Sequence, residues 1–229
     1  MTQKVIFFDI DGTLLNTGGA GQLAMERALT GDFQIDFPFE GVLTAGRTDR
    51  GITDEIFGRY RLQNTAANRA RFRDAYLSHL PATLDDAPGL LLPGVIDLLN
   101  GLRQADSAVL SLLTGNYATG ARIKLQHYKL ADYFVSGGFG DDHADRDDVA
   151  RLALTAIAAH LEEQVEGCNT MVIGDTPADI KCARAIEAKA VAVATGRYSR
   201  EELQACEPDF LFDDFSDAVD AVDRLLKLL

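Results

Sequence analysis

Short runs of consecutive apolar residues recur along the chain, separated by stretches in which apolar positions return every three or four residues. The runs are KVIFF (4–8), AVLSLLT (108–114), NTMVIGD (169–175), AVAVAT (190–195) and DFLF (209–212). Their β-branched and aromatic content, without strict alternation, predicts strands buried on both faces. The three-and-four spacing predicts helices over 92–104, with Pro93 in the first turn, and over 117–130, 147–164, 176–189 and 216–229. Strands alternating with helices in this way give a doubly wound α/β core around a parallel sheet.

Residues 17–88 break the alternation. AGQLAMERALTG (20–31), TDRGITDEIFGRYRL (48–62) and AANRARFRDAYLSHL (66–80) read as successive amphipathic helices with no buried strand among them. A helical insertion after the first strand accounts for this, entered at the Gly18–Gly19 pair and left through DDAPG at 85–89, both rich in turn formers. The expected division is a core of 1–16 with 89–229 and an inserted unit of 17–88.

Bulk properties narrow the setting. The 229 residues, 47% hydrophobic and 25% charged, suit a globular protein with a substantial core. A net charge of −13 argues against nucleic acid or an anionic membrane as partner, because that field repels phosphate backbones and acidic headgroups. No apolar run reaches the roughly 18–20 residues that span a bilayer, and MTQKVIFFDIDG lacks a cleavage site after its short apolar stretch, so a cytoplasmic location is expected. Cys168, Cys182 and Cys206 are odd in number and form no CxxC pair, which fits reduced thiols.

The chemistry gathers at strand ends. In open α/β sheets ligands bind beyond the carboxyl ends of the strands, and three strands end in polar sequence: DIDGT after the first, TGN after AVLSLL, and GDTPAD after NTMVI. Asp9, Asp11, Asp175 and Asp179 would bring four carboxylates to one place, which repulsion forbids unless a cation neutralises them or their pKa values rise. Magnesium fits best, since it takes one or two carboxylates, keeps waters and works beside phosphate oxygens. Thr114, Gly115 and Asn116 supply a hydroxyl, a turn and an amide at a helix entrance, a place that donates hydrogen bonds to anions. A carboxylate, a metal and an anion cradle together point to phosphoryl transfer.

These residues resemble the motifs of the haloacid dehalogenase superfamily: DIDGT its DxDGT, LLTGN its apolar run ending in Thr or Ser, and GDTPAD its GDxxxD. The resemblance runs from Lys4 to about Thr195 and implies a Rossmann-like core with a helical cap. It implies that Asp9 attacks phosphorus to give an aspartyl-phosphate, while Asp11 protonates the leaving alcohol and then activates water. It further implies that Mg2+ is held by Asp9, the backbone carbonyl of Asp11 and Asp175, with Asp179 orienting metal-bound water or the basic residue. Thr114 and the Gly115 N–H would bind phosphoryl oxygens, with Asn116 close by.

The third motif of the family is a single basic residue, usually Lys, and no Lys stands between Lys129 and Lys181. Arg146 occupies the matching place, with Arg151 as competitor and a surface pairing with Asp145, Asp147 or Asp148 as the plain alternative. In the cap, Arg47 within GRTDRG could reach substrate, or could be a solvated charge at a helix start. The acidic run DDHADRDD reads as a loop and helix start rather than a second metal site.

Departures from relatives narrow the activity. Retaining Asp11 favours phosphate chemistry over dehalogenation. The absence of Lys between Lys4 and Lys124 removes the cap lysine that phosphonate-cleaving relatives need. NTGGAGQ (16–22) stands where phosphosugar mutases place a His. A phosphoglycolate-phosphatase-like enzyme acting on a small phosphorylated metabolite, as a monomer or homodimer, is the reading reached. A mutase of the same superfamily and a non-catalytic phosphate-sensing protein are its alternatives.

Overall fold

A computed structural model of the chain describes residues 4–36, 39, 41–105 and 108–229. Six parallel strands form the central sheet: β1 (Lys4–Phe8), β4 (Ala108–Leu113), β5 (Gly137–Gly138), β6 (Thr170–Gly174), β7 (Lys189–Val193) and β8 (Phe210–Phe212). Their order is β5-β4-β1-β6-β7-β8, so β1 lies between β4 and β6. The chain switches sides at β1, the place where such sheets open a crevice for ligands.

The strands are mostly apolar because both faces of the sheet are covered. Ile6 and Phe8 of β1 pack on one side with Leu98, Leu102, Leu125 and Leu225 from α4 (Val95–Gln104), α5 (Ala118–His127) and α9 (Ala218–Leu228). Val5 and Phe7 point to the other side, against Val149, Ile157 and Ala183 from α6 (Arg146–Leu161) and α7 (Pro177–Ala185). Neighbouring side chains thus anchor β1 from opposite faces and leave little freedom to the residues that follow Phe8.

The insertion consists of α1 (Ala20–Phe33), α2 (Asp49–Arg59) and α3 (Ala66–Asp86) around a separate apolar cluster that includes Met25, Leu29, Phe57, Phe72 and Leu80. Tyr117 at the start of α5 is buried in that same cluster, so the insertion and the sheet unit share a side chain. Where the chain leaves and re-enters, β2 (Leu15–Asn16) pairs antiparallel with β3 (Leu90–Leu91).

Several sequence expectations need adjustment. Pro93 lies outside its helix, which begins at Val95 after Gly94 as N-cap. Arg146 is the first residue of α6 rather than part of the loop, with Asp145 as N-cap accepting the Asp147 N–H. Strands β2, β3 and β5 and the short helix α8 (Arg200–Gln204) were not anticipated. No helix among the described residues is long and apolar enough to cross a membrane.

Candidate active site

The carboxyl ends of β4, β1 and β6 deliver the three polar sequences to one cavity of about 450 Å³. Asp9, Asp11, Thr114, Asn116, Arg146 and Asp175 line its floor; Met25, Arg47, Asp49, Ile52 and Tyr76 line it from the helical insertion.

Asp9 follows β1 directly, and its N–H donates to Ile173 O of β6 at 3.0 Å, extending the sheet to the first carboxylate. The chain then turns sharply: Gly12 N donates to Leu15 O at 2.8 Å, and Thr13, Leu14 and Leu15 all donate to Ile10 O. Gly12 has φ 84°, and a Cβ there would fall 2.4 Å from Asp175 Oδ2. Only glycine combines that left-handed backbone with so close an approach of the Asp175 carboxylate. Thr13 Oγ1 donates to the other Asp175 oxygen at 3.2 Å.

Asp9, Asp175 and Asp179 are buried, and one oxygen from each lies within 4.8 Å of the others. Burial, helped by Asp179 and Asp11, pushes the Asp9 carboxyl up to about 6 although Arg146 and a hydrogen bond from Thr114 pull it down. Burial, then Asp179 and Asp9, push Asp175 up to about 8 against the pull of Arg146 and Thr13. Among the described residues, one cation answers this repulsion. Arg146 is buried, its Nη2 stands 3.1 Å from Asp9 Oδ1, and the same nitrogen pairs with Asp179 Oδ1. Burial alone would lower the Arg146 pKa; Asp179 and Asp9 more than reverse this, so the guanidinium stays charged.

One guanidinium among three close carboxylates leaves an excess of negative charge and a set of hard oxygen donors, which suits a hard divalent cation. The donors differ in availability. Asp179 Oδ2 already accepts from Thr176 N at 3.0 Å and Thr176 Oγ1 at 2.7 Å, closing a capping box at the start of α7, while its Oδ1 takes Arg146. Asp9 and Asp175 are the less committed pair.

The loop after β4 carries Thr114, Gly115 and Asn116. Thr114 is fully buried, and the N–H of Gly115 has no protein acceptor among the described residues. Asn116 Nδ2 donates to Thr114 Oγ1 and to Asp11 Oδ2, both at 2.8 Å. Lys124, from the middle of α5, was not anticipated: it is buried, and its Nζ donates to Asp11 Oδ2 and to Asn116 Oδ1, each at 2.6 Å. Its signal was present in the sequence, since it occupies a slot in the buried stripe Gly120, Ala121 and Leu125 where an apolar residue is expected. The site therefore contains a lysine after all, supplied by the core rather than the insertion.

The insertion closes on this loop through backbone. Asp49 N donates to Gly115 O at 2.7 Å, Tyr117 N donates to Asp49 Oδ2 at 2.7 Å, and Arg50 N donates to Gly140 O at 3.3 Å. Arg47 lines the cavity, but its guanidinium is held by Glu55 Oε2 and by the carbonyls of Leu43 at 3.2 Å and Gly51 at 3.0 Å. Arg151, the competitor of Arg146, is exposed and paired with Asp148. The run around Arg146 serves α6, with Asp147 and Asp148 in its first turn. At the position of the mutase histidine, the cavity wall is formed by Asn16, Thr17, Gly19, Gly21 and Gln22.

The chain is similar to known proteins over nearly its full length. The probable phosphatase IndB of Dickeya dadantii is 28% identical over 231 residues, covering 99% of this chain and 96% of that protein. A phosphoglycolate phosphatase of Vibrio vulnificus is 27% identical over 232 residues, covering 97% and 98%. Among solved structures, a hydrolase from Pseudomonas syringae superposes with a TM-score of 0.71 at 21% identity, covering 97% of this chain and 99% of that one, which establishes the shared fold. The family model for haloacid dehalogenase-like hydrolases matches residues 6–184, from β1 through α7, and the chain belongs to that family.

Proposed function

We propose that the protein is a magnesium-dependent phosphatase that hydrolyses a small phosphate monoester through an aspartyl-phosphate on Asp9. The observation that carries this reading is the convergence of Asp9, Thr114, Arg146 and Asp175 with the half-exposed Asp11 at one cavity floor. The two near-full-length relatives named as phosphatases support it.

Asp9, held by β1 and by Arg146, is the nucleophile. Thr114 and the free N–H of Gly115 receive phosphoryl oxygens, and Arg146 offsets their charge while keeping Asp9 aligned. Asp11, whose side chain is 38% exposed, protonates the departing alcohol and afterwards takes a proton from the attacking water. The carboxylates of Asp9 and Asp175 and the carbonyl of Asp11 would hold Mg2+, which supplies positive charge for the phosphoryl group when bound. Asp179 orients Arg146. Residues 17–88 act as a cap over a core of 1–16 and 89–229, excluding water from the cavity. The named Vibrio relative favours a small phosphorylated acid such as phosphoglycolate as substrate. A cytoplasmic monomer or homodimer, without nucleic-acid or membrane partners, completes the reading.

Phosphate release from 4-nitrophenyl phosphate and a metabolite phosphate panel, with and without magnesium, tests it. Asp9→Asn is expected to lose turnover by a factor of about 10⁴ or more while keeping its fold, and to yield no acid-stable phosphoenzyme. Metal-independent turnover, or an active Asp9→Asn protein, overturns the proposal.

A further inference from the structure

Lys124 is a buried ammonium on a helix face that otherwise packs with small and apolar side chains. Placing a charge there is unfavourable unless it is paired and hydrogen-bonded. Its partners are Asp11 Oδ2 and Asn116 Oδ1, each at 2.6 Å, and Asn116 returns a donor to the same Asp11 oxygen at 2.8 Å. The three side chains form a closed ring, tied through Asn116 Nδ2 to Thr114 Oγ1. Two donors thus fix Asp11 Oδ2, while Asp11 Oδ1 has no protein donor among the described residues.

We infer that Lys124 is a positioning residue: it fixes the Asp11 carboxyl so that Oδ1 faces proton exchange with the leaving group and then with water. This rests on the phosphatase reading above and adds a residue that acts through Asp11. In the first step the Asp9 oxygen bonds to phosphorus, the ester P–O bond breaks, and the proton on Asp11 Oδ1 passes to the departing oxygen. In the second, a water oxygen bonds to phosphorus as its proton returns to Oδ1 and the Asp9–phosphorus bond breaks. Free rotation of Asp11 would cost most where the leaving oxygen most needs its proton, because poor leaving groups depend on general acid catalysis and good ones do not.

The test is a series of aryl phosphates from 4-nitrophenyl to phenyl and 4-methoxyphenyl phosphate, with the wild type, Lys124→Met, Lys124→Arg, Asp11→Asn and the Lys124→Met/Asp11→Asn double variant. Binding of inorganic phosphate is measured beside it by calorimetry. Lys124→Met is expected to lose at least tenfold more kcat on phenyl than on 4-nitrophenyl phosphate, with phosphate affinity within about threefold of wild type. Lys124→Arg regains part of that loss, and the double variant is no slower than Asp11→Asn alone. Should Lys124→Met fail to fold, Lys124→Gln, of similar length and uncharged, is read through the same series. A uniform loss along the series, a tenfold weaker phosphate affinity, or multiplicative losses in the double variant overturns the inference while leaving the phosphatase intact. A wild type without turnover on any member overturns both.

Discussion

A Cβ placed on Gly115 would lie 2.1 Å from the carbonyl oxygen of Arg47, so the loop after β4 and the residues just before α2 meet backbone to backbone. No side chain fits between them. Gly115→Ala is expected to push the 47–50 segment away, weakening the Asp49 N to Gly115 O bond and opening the cavity. Overpacking of this kind costs about 1–3 kcal/mol. The variant should lower the denaturation midpoint and reduce kcat/KM tenfold or more, whereas a wild-type profile in both would show that the contact yields freely.

Among the described residues, Arg146 is the cation that pairs with both Asp9 and Asp179. Arg146→Met leaves those buried carboxylates uncompensated, and removing one partner of a buried pair costs about 3–5 kcal/mol. Urea unfolding in chelator should show a loss of that order. Arg146→Lys keeps the charge without the fork and should recover stability better than activity. Equal stability for the Met variant would mean that the carboxylates simply take up protons.

The same charge excess predicts a stabilising response to magnesium. At a hundredfold excess over its dissociation constant a ligand of the native state adds about 2.7 kcal/mol. Wild type should melt at a higher temperature in magnesium than in chelator. Asp175→Asn should abolish most of that difference, and an unchanged response would remove Asp175 from the proposed ligands.

Asp49 supplies a pH prediction away from the metal ligands. Burial pushes its carboxyl up to about 7, against the pull of Lys124 and of the Tyr117 N–H. In the unfolded chain it ionises near the ordinary value of 3.8. Between those values the unfolded state has released its proton and the native state has not, so rising pH favours unfolding until about pH 7 and adds nothing beyond. Asp49→Asn retains an acceptor for Tyr117 N and lacks this slope. Wild type should therefore lose stability relative to the variant from pH 4 to 7, by on the order of 4 kcal/mol at 1.36 kcal/mol per pH unit. Parallel stability curves would refute the assignment.

The sheet was legible wherever burial on both faces wrote itself as an unbroken apolar run. All five anticipated strands form, with every end within two residues of the expected one. The strand-end polar residues were legible for a related reason: Asp9, Thr114 and Asp175 terminate runs that are adjacent in the sheet, and parallel strands bring like ends together. Gly137–Gly138 escaped because two glycines carry no hydrophobic pattern, although an edge strand beside Leu112 and Leu113 requires none. Lys124 escaped because periodicity treats a lysine among apolar helix positions as a solvated interruption, and its carboxylate partner Asp11 lies 113 residues away in sequence. For Arg47 the sequence left open a reach toward substrate or a solvated charge at a helix start; it lines the cavity with its guanidinium held by Glu55, a pairing that depends on how α2 continues and that its own turn does not encode.

The pairing of Leu15–Asn16 with Leu90–Leu91 makes the points of departure and return neighbours, whatever lies between them. Closing a long excursion of chain between fixed ends costs only slowly more as it lengthens. The 73 residues between Asn16 and Leu90 can therefore be lengthened, shortened or exchanged as a cassette without shifting the register of the sheet. The register of the sheet and the make-up of the inserted helices are thus specified on separable stretches of one chain.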